Sequence, residues 1–303
     1  MRTTDLNVST DKFEKHLDIS NDTMTAIDVL AEHTDFSRQK IKQIMQKGAV
    51  WLTRDKSTQR IRRASKKLSA GQTLHLYYDA HILSQTDFEA RLIADETDYS
   101  VWFKPAGMLS QGSKFGDHTA IYRWAESHLK PQRNAFLVHR LDRATSGLIL
   151  IAHSKKAAAS LSNMFSERAI DKYYKALVHG IPDAPKTLNE DLNNKKAITK
   201  LLSIKKNTEK GTDKNTSLLD LQILTGRKHQ IRQHLANIGH PIVGDRLYGD
   251  GKNDKIDLCL TAYKMIFISP FDQQKKHYEL GSEFYPALNL TASEHTTSST
   301  NKE

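Results

Sequence analysis

Apolar residues recur at helical spacing in two short runs near the start of the chain: Ala26, Val29 and Leu30, then Ile41, Ile44 and Met45. Ser37 stands where the second run would be capped and Gly48 where it would end, so the pattern predicts helix, turn, helix. Two β-prone pieces follow, VWLT at 50–53 and TLHLYYD at 73–79. Past residue 80 the chain grows richer in apolar runs and glycine. RLIAD at 91–95 and YSVWF at 99–103, joined by Glu96-Thr97-Asp98, predict a hairpin. Ile121, Trp124, Ala125 and Leu129 share one helical face behind Asp117. The stretch 137–152 puts an apolar strand on each side of a polar centre, and 154–169 reads as a helix capped by Ser154. KYYKALVHG at 172–180 alternates, with Tyr174, Ala176 and Val178 on one side and Tyr173 on the other. SLLDLQIL at 217–224 is a strand, and the helix expected over 227–238 carries Ile231, Leu235 and Ile238 before Gly239 and Pro241 end it. Strands and helices alternate without regular βαβ repetition, which predicts an α+β fold with a largely antiparallel mixed sheet flanked by helices.

A length of 303 residues favours two domains. The change in character near residue 80 gives a small basic domain over 23–80 and a larger one over 88–290. Residues 1–22 and 291–303 are polar without a sustained period and read as disordered tails. Lys and Arg total 45 against 35 Asp and Glu, a formal charge of +10 that points to an acidic partner. Cys259 is the single cysteine, too few for an intramolecular disulfide or a cysteine metal cage, which suits a reducing compartment; a cytoplasmic location is expected. No run approaches ~20 apolar residues and the first fifteen lack the apolar centre of a secretion signal, so neither a membrane partner nor export is expected.

Several chemistries lack support. The sequence has no GxxxxGK(S/T), no GxGxxG after a strand and no GxSxG. His229 and His234 are five apart with no Glu between them, where a helical metal pair needs four; no metal is expected. The remaining candidate is Asp142, set among His139, Arg140 and Arg143 between apolar strands. Guanidinium groups beside a carboxylate favour its charged form, so Asp142 reads as an acceptor or nucleophile. Taken alone, the cluster reads first as a structural ion pair at a strand end.

HRLDRATSGLILIA at 139–152 resembles the signature of the RluA-type pseudouridine synthases: His-Arg-Leu-Asp, two variable residues, Thr-Ser-Gly and an aliphatic strand. FKPAGMLSQ (103–111), KYYKALVHG (172–180) and the block 218–249 agree in the same order. The resemblance implies isomerisation of uridine to pseudouridine in RNA, without cofactor or metal. It implies that Asp142 is the catalytic aspartate, Tyr174 the active-site tyrosine and Arg227 the basic residue that pairs with the aspartate. Ile231 would close the base pocket, and Arg140 would fill the stack when the nucleotide is flipped out. His139 is expected to fix the backbone beside Asp142. Lys228 stands where the family usually has Ser or Thr, either adding a phosphate contact or merely tolerated there, and Arg232 reads as a second basic contact.

Two short helices, a small sheet and a basic run also resemble the S-four-like (α-L) RNA-binding domain that often precedes these enzymes, although the usual Asn-Gly after the first strand is replaced by LTRDKS. Arg38, Lys42, Lys47, Arg54, Arg62 and Arg63 are the RNA-contact candidates there. The expected partner is ribosomal RNA first and transfer RNA second, bound by a monomer. A non-catalytic RNA-binding or ribosome-assembly protein on the same scaffold is the competing reading, since phosphate neutralisation explains the charge equally well.

Overall fold

A computed structural model describes residues 11–22, 24–85, 88–207, 215–249 and 256–286. The chain divides into two compact units, residues 1–89 with 109–129, and 90–108 with 130–303.

In the first unit, β1 (Lys12–Asp18) precedes α1 (Ala26–His33), α2 (Arg38–Gln46), β2 (Val50–Arg54), β3 (Ser57–Arg60), β4 (Thr73–Asp79) and the short α3 (Ala80–Ser84). The strands form an antiparallel sheet in the order β1-β4-β2-β3. Ser37 caps α2 by accepting the Lys40 N–H at 3.2 Å. Leu30, Ile41 and Met45 from the helix pair bury against Leu52, Leu74 and Leu76 of the sheet.

Two features depart from the sequence reading. Part of the stretch 1–22 read as a tail is β1, paired along its length with β4; residues 1–10, like 291–303, lie outside the described residues. The segment 109–129, read as part of the second domain, belongs to the first unit. The reason is Asp117, 1% exposed, which accepts hydrogen bonds from Arg60, from Arg62 at 2.6 Å and from the Tyr122 hydroxyl. Two guanidinium groups compensate the desolvation of this carboxylate and tie the segment bearing α4 (Ile121–His128) to the small sheet.

The second unit holds β5 (Arg91–Asp95), β6 (Tyr99–Lys104), β7 (Phe136–Leu137), β8 (Ser146–Ala152), α5 (Lys155–Glu167), β9 (Asp171–His179), β10 (Thr187–Leu188), β11 (Thr199–Lys206), β12 (Thr216–Ile223), α6 (Gln230–Asn237), β13 (Leu260–Ile268) and β14 (Lys275–Glu279). They build one mixed sheet in the order β10-β11-β12-β9-β13-β8-β6-β5, with β14 on β13 and β7 on β8. Among the described strand pairings of this sheet only β13 with β8 is parallel, in keeping with the expected α+β class.

The alternation read in 172–180 holds. Tyr174 joins a cluster with Ala176, Leu219, Ile231 and Leu235, whereas Tyr173 packs against Tyr99, Leu150, Leu161 and Met265. Gly147 lets β8 approach β13: its φ is 123° and a Cβ there would lie 2.2 Å from the Ala262 carbonyl oxygen. Nothing comparable surrounds Gly226, whose added Cβ would meet no atom within 4 Å.

Candidate active site

The turn between β7 and β8 carries Asp142, and its backbone carbonyl accepts the Thr145 N–H at 3.1 Å. Central strand β9 presents Tyr174, and the turn after β12 leads into α6 with Arg227, His229, Ile231 and Arg232. These groups line one pocket with Arg140, Leu141, Thr145, Ile223, Gly226, Gln230 and Leu260. A second cleft of ≈ 650 Å³ shares Arg140, Asp142, Tyr174 and Arg227, within the ~300–1,000 Å³ range of ligand sites.

The Asp142 side chain is 32% exposed, so a substrate can reach it. The Nε2 atom of His229 stands 3.8 Å from its Oδ2, and Nη1 of Arg232 stands 4.0 Å from the same oxygen. Arg232 is held from behind. Its Nε and Nη2 donate to the two oxygens of Asp245 at 2.8 and 2.7 Å, and Asp245 also accepts the backbone N–H groups of Leu247 and Tyr248. Burial opposes charge on Asp245, but these donors outweigh it and hold the carboxyl below the usual carboxylate range. The guanidinium is thus fixed by a forked pair, leaving Nη1 for Asp142.

His229 occupies the left-handed region, φ 55°, immediately before α6. Its Nδ1 lies 3.0 Å from the Tyr248 hydroxyl. Burial lowers the ring's pKa against the pull of Asp142, with Arg232 and Lys228 adding to the downward shift. Burial, reinforced by Asp142, pushes the Tyr174 hydroxyl well up, so at neutral pH Tyr174 is a proton donor rather than a phenolate. Beside these groups Lys104 is fully buried, its Nζ donating to the carbonyls of Pro105, Met108 and Arg143. Desolvation lowers Lys104 to about 7, with Asp142 opposing the shift.

Asp142, Tyr174, Arg227 and Ile231 line the same pocket, with Ile231 only 5% exposed. The pairing expected for Arg227 is corrected: its Nε donates to the Lys196 carbonyl at 3.0 Å, and the arginine beside Asp142 is Arg232. The cause is local. The helix starts at Gln230 rather than 227, so Arg227 lies in the preceding turn and Arg232 sits in the first helical turn. His139 accepts the Leu150 N–H at 2.9 Å and stacks on Phe165 at 4.2 Å; desolvation, with the charge of Lys172, holds it down to about 3. It acts as a neutral buttress that also borders the second cleft. Arg140 and Lys228 are exposed at the rim.

His229, Asp245 and Lys104 escaped the sequence reading; a histidine in the left-handed region and a carboxylate thirteen residues past its arginine leave no periodic signal. Among the six basic candidates of the first unit, Lys42, Arg54 and Arg63 are exposed. Arg38 is paired with Asp28 at 2.7 Å. Lys47 and Arg62 are corrected from phosphate contacts to internal ties, Lys47 to the Leu83 carbonyl at 2.6 Å and Arg62 to Asp117 and the Gln46 carbonyl.

The family model described as RNA pseudouridylate synthase matches residues 98–237, which include Asp142, Tyr174 and Arg232. The tRNA pseudouridine synthase C of Vibrio vulnificus (strain CMCP6) is 32% identical over 201 residues, covering 57% of this chain and 82% of that protein. The chain belongs to the RluA-type RNA pseudouridine synthases. An RNA pseudouridine synthase of Aquifex aeolicus (strain VF5) is 30% identical over 241 residues, 72% of this chain and 74% of its own. Human RNA Pseudouridylate Synthase Domain Containing 1 shares the fold with a TM-score of 0.54 at 24% identity, covering 66% of this chain and 86% of that one. This RNA pseudouridine synthase is therefore an isomerase acting on RNA. Among its described residues no helix is long and apolar enough to cross a membrane.

Proposed function

We propose that the enzyme converts specific uridines of structured RNA to pseudouridine, with Asp142 acting on the ribose–uracil unit as nucleophile or base. In the reaction the C1′–N1 bond breaks, the freed uracil turns, C1′ bonds C5, the C5 proton departs and N1 takes up a proton. The observation that carries the reading is a reachable carboxylate flanked by a braced arginine and a histidine at 4.0 and 3.8 Å, beside a protonated buried tyrosine. Arg232 keeps Asp142 oriented and supplies positive charge where negative charge develops. Tyr174 offers a ring against which the extruded base can stack and a hydroxyl for proton transfer. Ile231 forms an apolar floor to the pocket.

Ribosomal RNA is the first-choice substrate and transfer RNA the second. The Vibrio relatives named for transfer RNA favour the latter. The first choice rests on the segment 11–85, which precedes the matched region and whose helix pair and exposed Lys42, Arg54 and Arg63 fit an S-four-like module that grips a larger structured RNA. Release of tritium from C5-labelled uridine in transcripts of each RNA tests both choices. Release from ribosomal RNA at the higher rate supports the reading, and release from neither overturns it.

A further inference from the structure

Lys172 is 9% exposed and lies on β9 two residues before Tyr174, so both side chains leave the same face of the strand. Its side chain makes no hydrogen bond or ion pair with a described residue. Its ammonium lies 5.8 Å from the Phe165 ring. Burial and the positive charge of Arg168 disfavour its proton, and Asp171 offsets them in part. The stem of Lys172 is buried, while its ammonium opens onto the cleft beside the Arg168 guanidinium with no acceptor among the described residues.

The surroundings show what would satisfy it. Lys172 lines the ≈ 650 Å³ cleft that adjoins the active-site pocket, together with Arg140, Arg168, Arg227 and Lys228, against Asp142 as the one acidic lining residue. Arg168 caps α5 in the left-handed conformation, φ 61°, where glycine or asparagine is usual. That conformation holds an exposed guanidinium at the cleft rim above the buried Lys172.

We infer that Lys172 and Arg168 form a binding site for a backbone phosphate of the substrate strand next to the uridine held at Asp142. The inference rests on RNA being drawn into this cleft, as proposed above. A phosphate here supplies the acceptor that Lys172 lacks and draws the neighbouring nucleotide past Phe165 toward the pocket. The site is separate from Asp142 and its braces, and it sets the register of the strand rather than the chemistry.

The test is RNA binding as a function of salt, measured in an Asp142→Asn background so that turnover does not intervene. Lys172→Met should raise Kd for a ribosomal RNA transcript about tenfold and lower the slope of log K against log salt by about 0.7, one single-strand phosphate contact. Lys172→Arg should bind within about twofold of its parent, and Lys155→Met, an exposed charge loss at the far end of α5, should keep the parental slope. Should Lys172→Met not fold, the exposed Arg168→Gln is read in its place, with the same expected loss of slope. A Lys172→Met protein that binds like its parent, or loses no more than Lys155→Met, overturns the site. Tritium release by the unmutated enzyme is read separately. No release with the slope change intact defeats the proposed function alone, and release with an unchanged slope defeats the phosphate site alone.

Discussion

Arg232 reaches two carboxylates at once, bound through Nε and Nη2 to Asp245 at 2.8 and 2.7 Å while its Nη1 stands 4.0 Å from Asp142. The two acids have different environments. The Asp245 side chain is inaccessible and fully occupied, and that of Asp142 is 32% exposed. One carboxylate therefore fixes the guanidinium and the other stands open to solvent.

Arg232→Lys should lower kcat on the order of 10²-fold, because an ammonium cannot make the forked bond to Asp245 and still serve Asp142. Arg227→Lys should cost at least about tenfold less. Single-turnover rates on labelled RNA measure both, and equal losses would contradict the assignment of Arg232. Asp245→Ala should destabilise the fold by about 3 kcal/mol in urea titration, since it strands a buried guanidinium.

Lys104 gives the fold a pH dependence. Its folded-state pKa of about 7 lies below the ordinary lysine value of 10.5, so between those limits the unfolded chain binds the extra proton. The penalty of burying the charged lysine is complete below pH ~7 and fades toward pH ~10.5, so Lys104 makes stability rise with pH across that window. The slope it adds is at most about 1.4 kcal/mol per pH unit. Urea midpoints from pH 6 to 10 should show a flatter profile for Lys104→Met than for the natural sequence; parallel profiles would refute this.

Gly147→Ala should cost at least about 3 kcal/mol, because the new methyl group meets the Ala262 backbone at 2.2–2.7 Å with φ at 123°. Gly226→Ala meets nothing within 4 Å and should change stability by less than about 0.5 kcal/mol. Chemical denaturation of the pair checks this.

These contrasts show which parts of the molecule were legible in the sequence. Strand β9 was, because a strand buried on both faces still alternates its bulky residues, and Tyr173 and Tyr174 fall on opposite sides as read. Strand β1 was not: KFEKHLD is half exposed, with Phe13 and Leu17 too far apart to show period two. The first turn of α6 was misplaced because Arg227, Lys228 and His229 have helix-compatible side chains while His229 adopts a left-handed backbone. The inclusion of 109–129 in the first unit depends on Asp117 meeting Arg60 and Arg62, a contact between residues more than fifty apart that no local pattern reveals.

Reversing the exposed charges of the first unit, Lys42→Glu with Arg54→Glu, should weaken RNA binding at least tenfold and reduce its salt slope by about 1.4, two single-strand contacts. Reversal of Arg62 should instead lower thermal stability, because its partner is Asp117. Filter binding at several salt concentrations, with a melting curve for each variant, separates the two effects.

Asp142 is proposed to perform the isomerisation. Tritium release from C5-labelled uridine in ribosomal and transfer RNA, compared between the natural sequence and Asp142→Asn, tests it most directly, because joining C1′ to C5 must expel the C5 hydrogen. The natural sequence should release tritium, Asp142→Asn should release none above background, and the two RNA affinities should agree within a few fold. Release retained by Asp142→Asn would contradict that role.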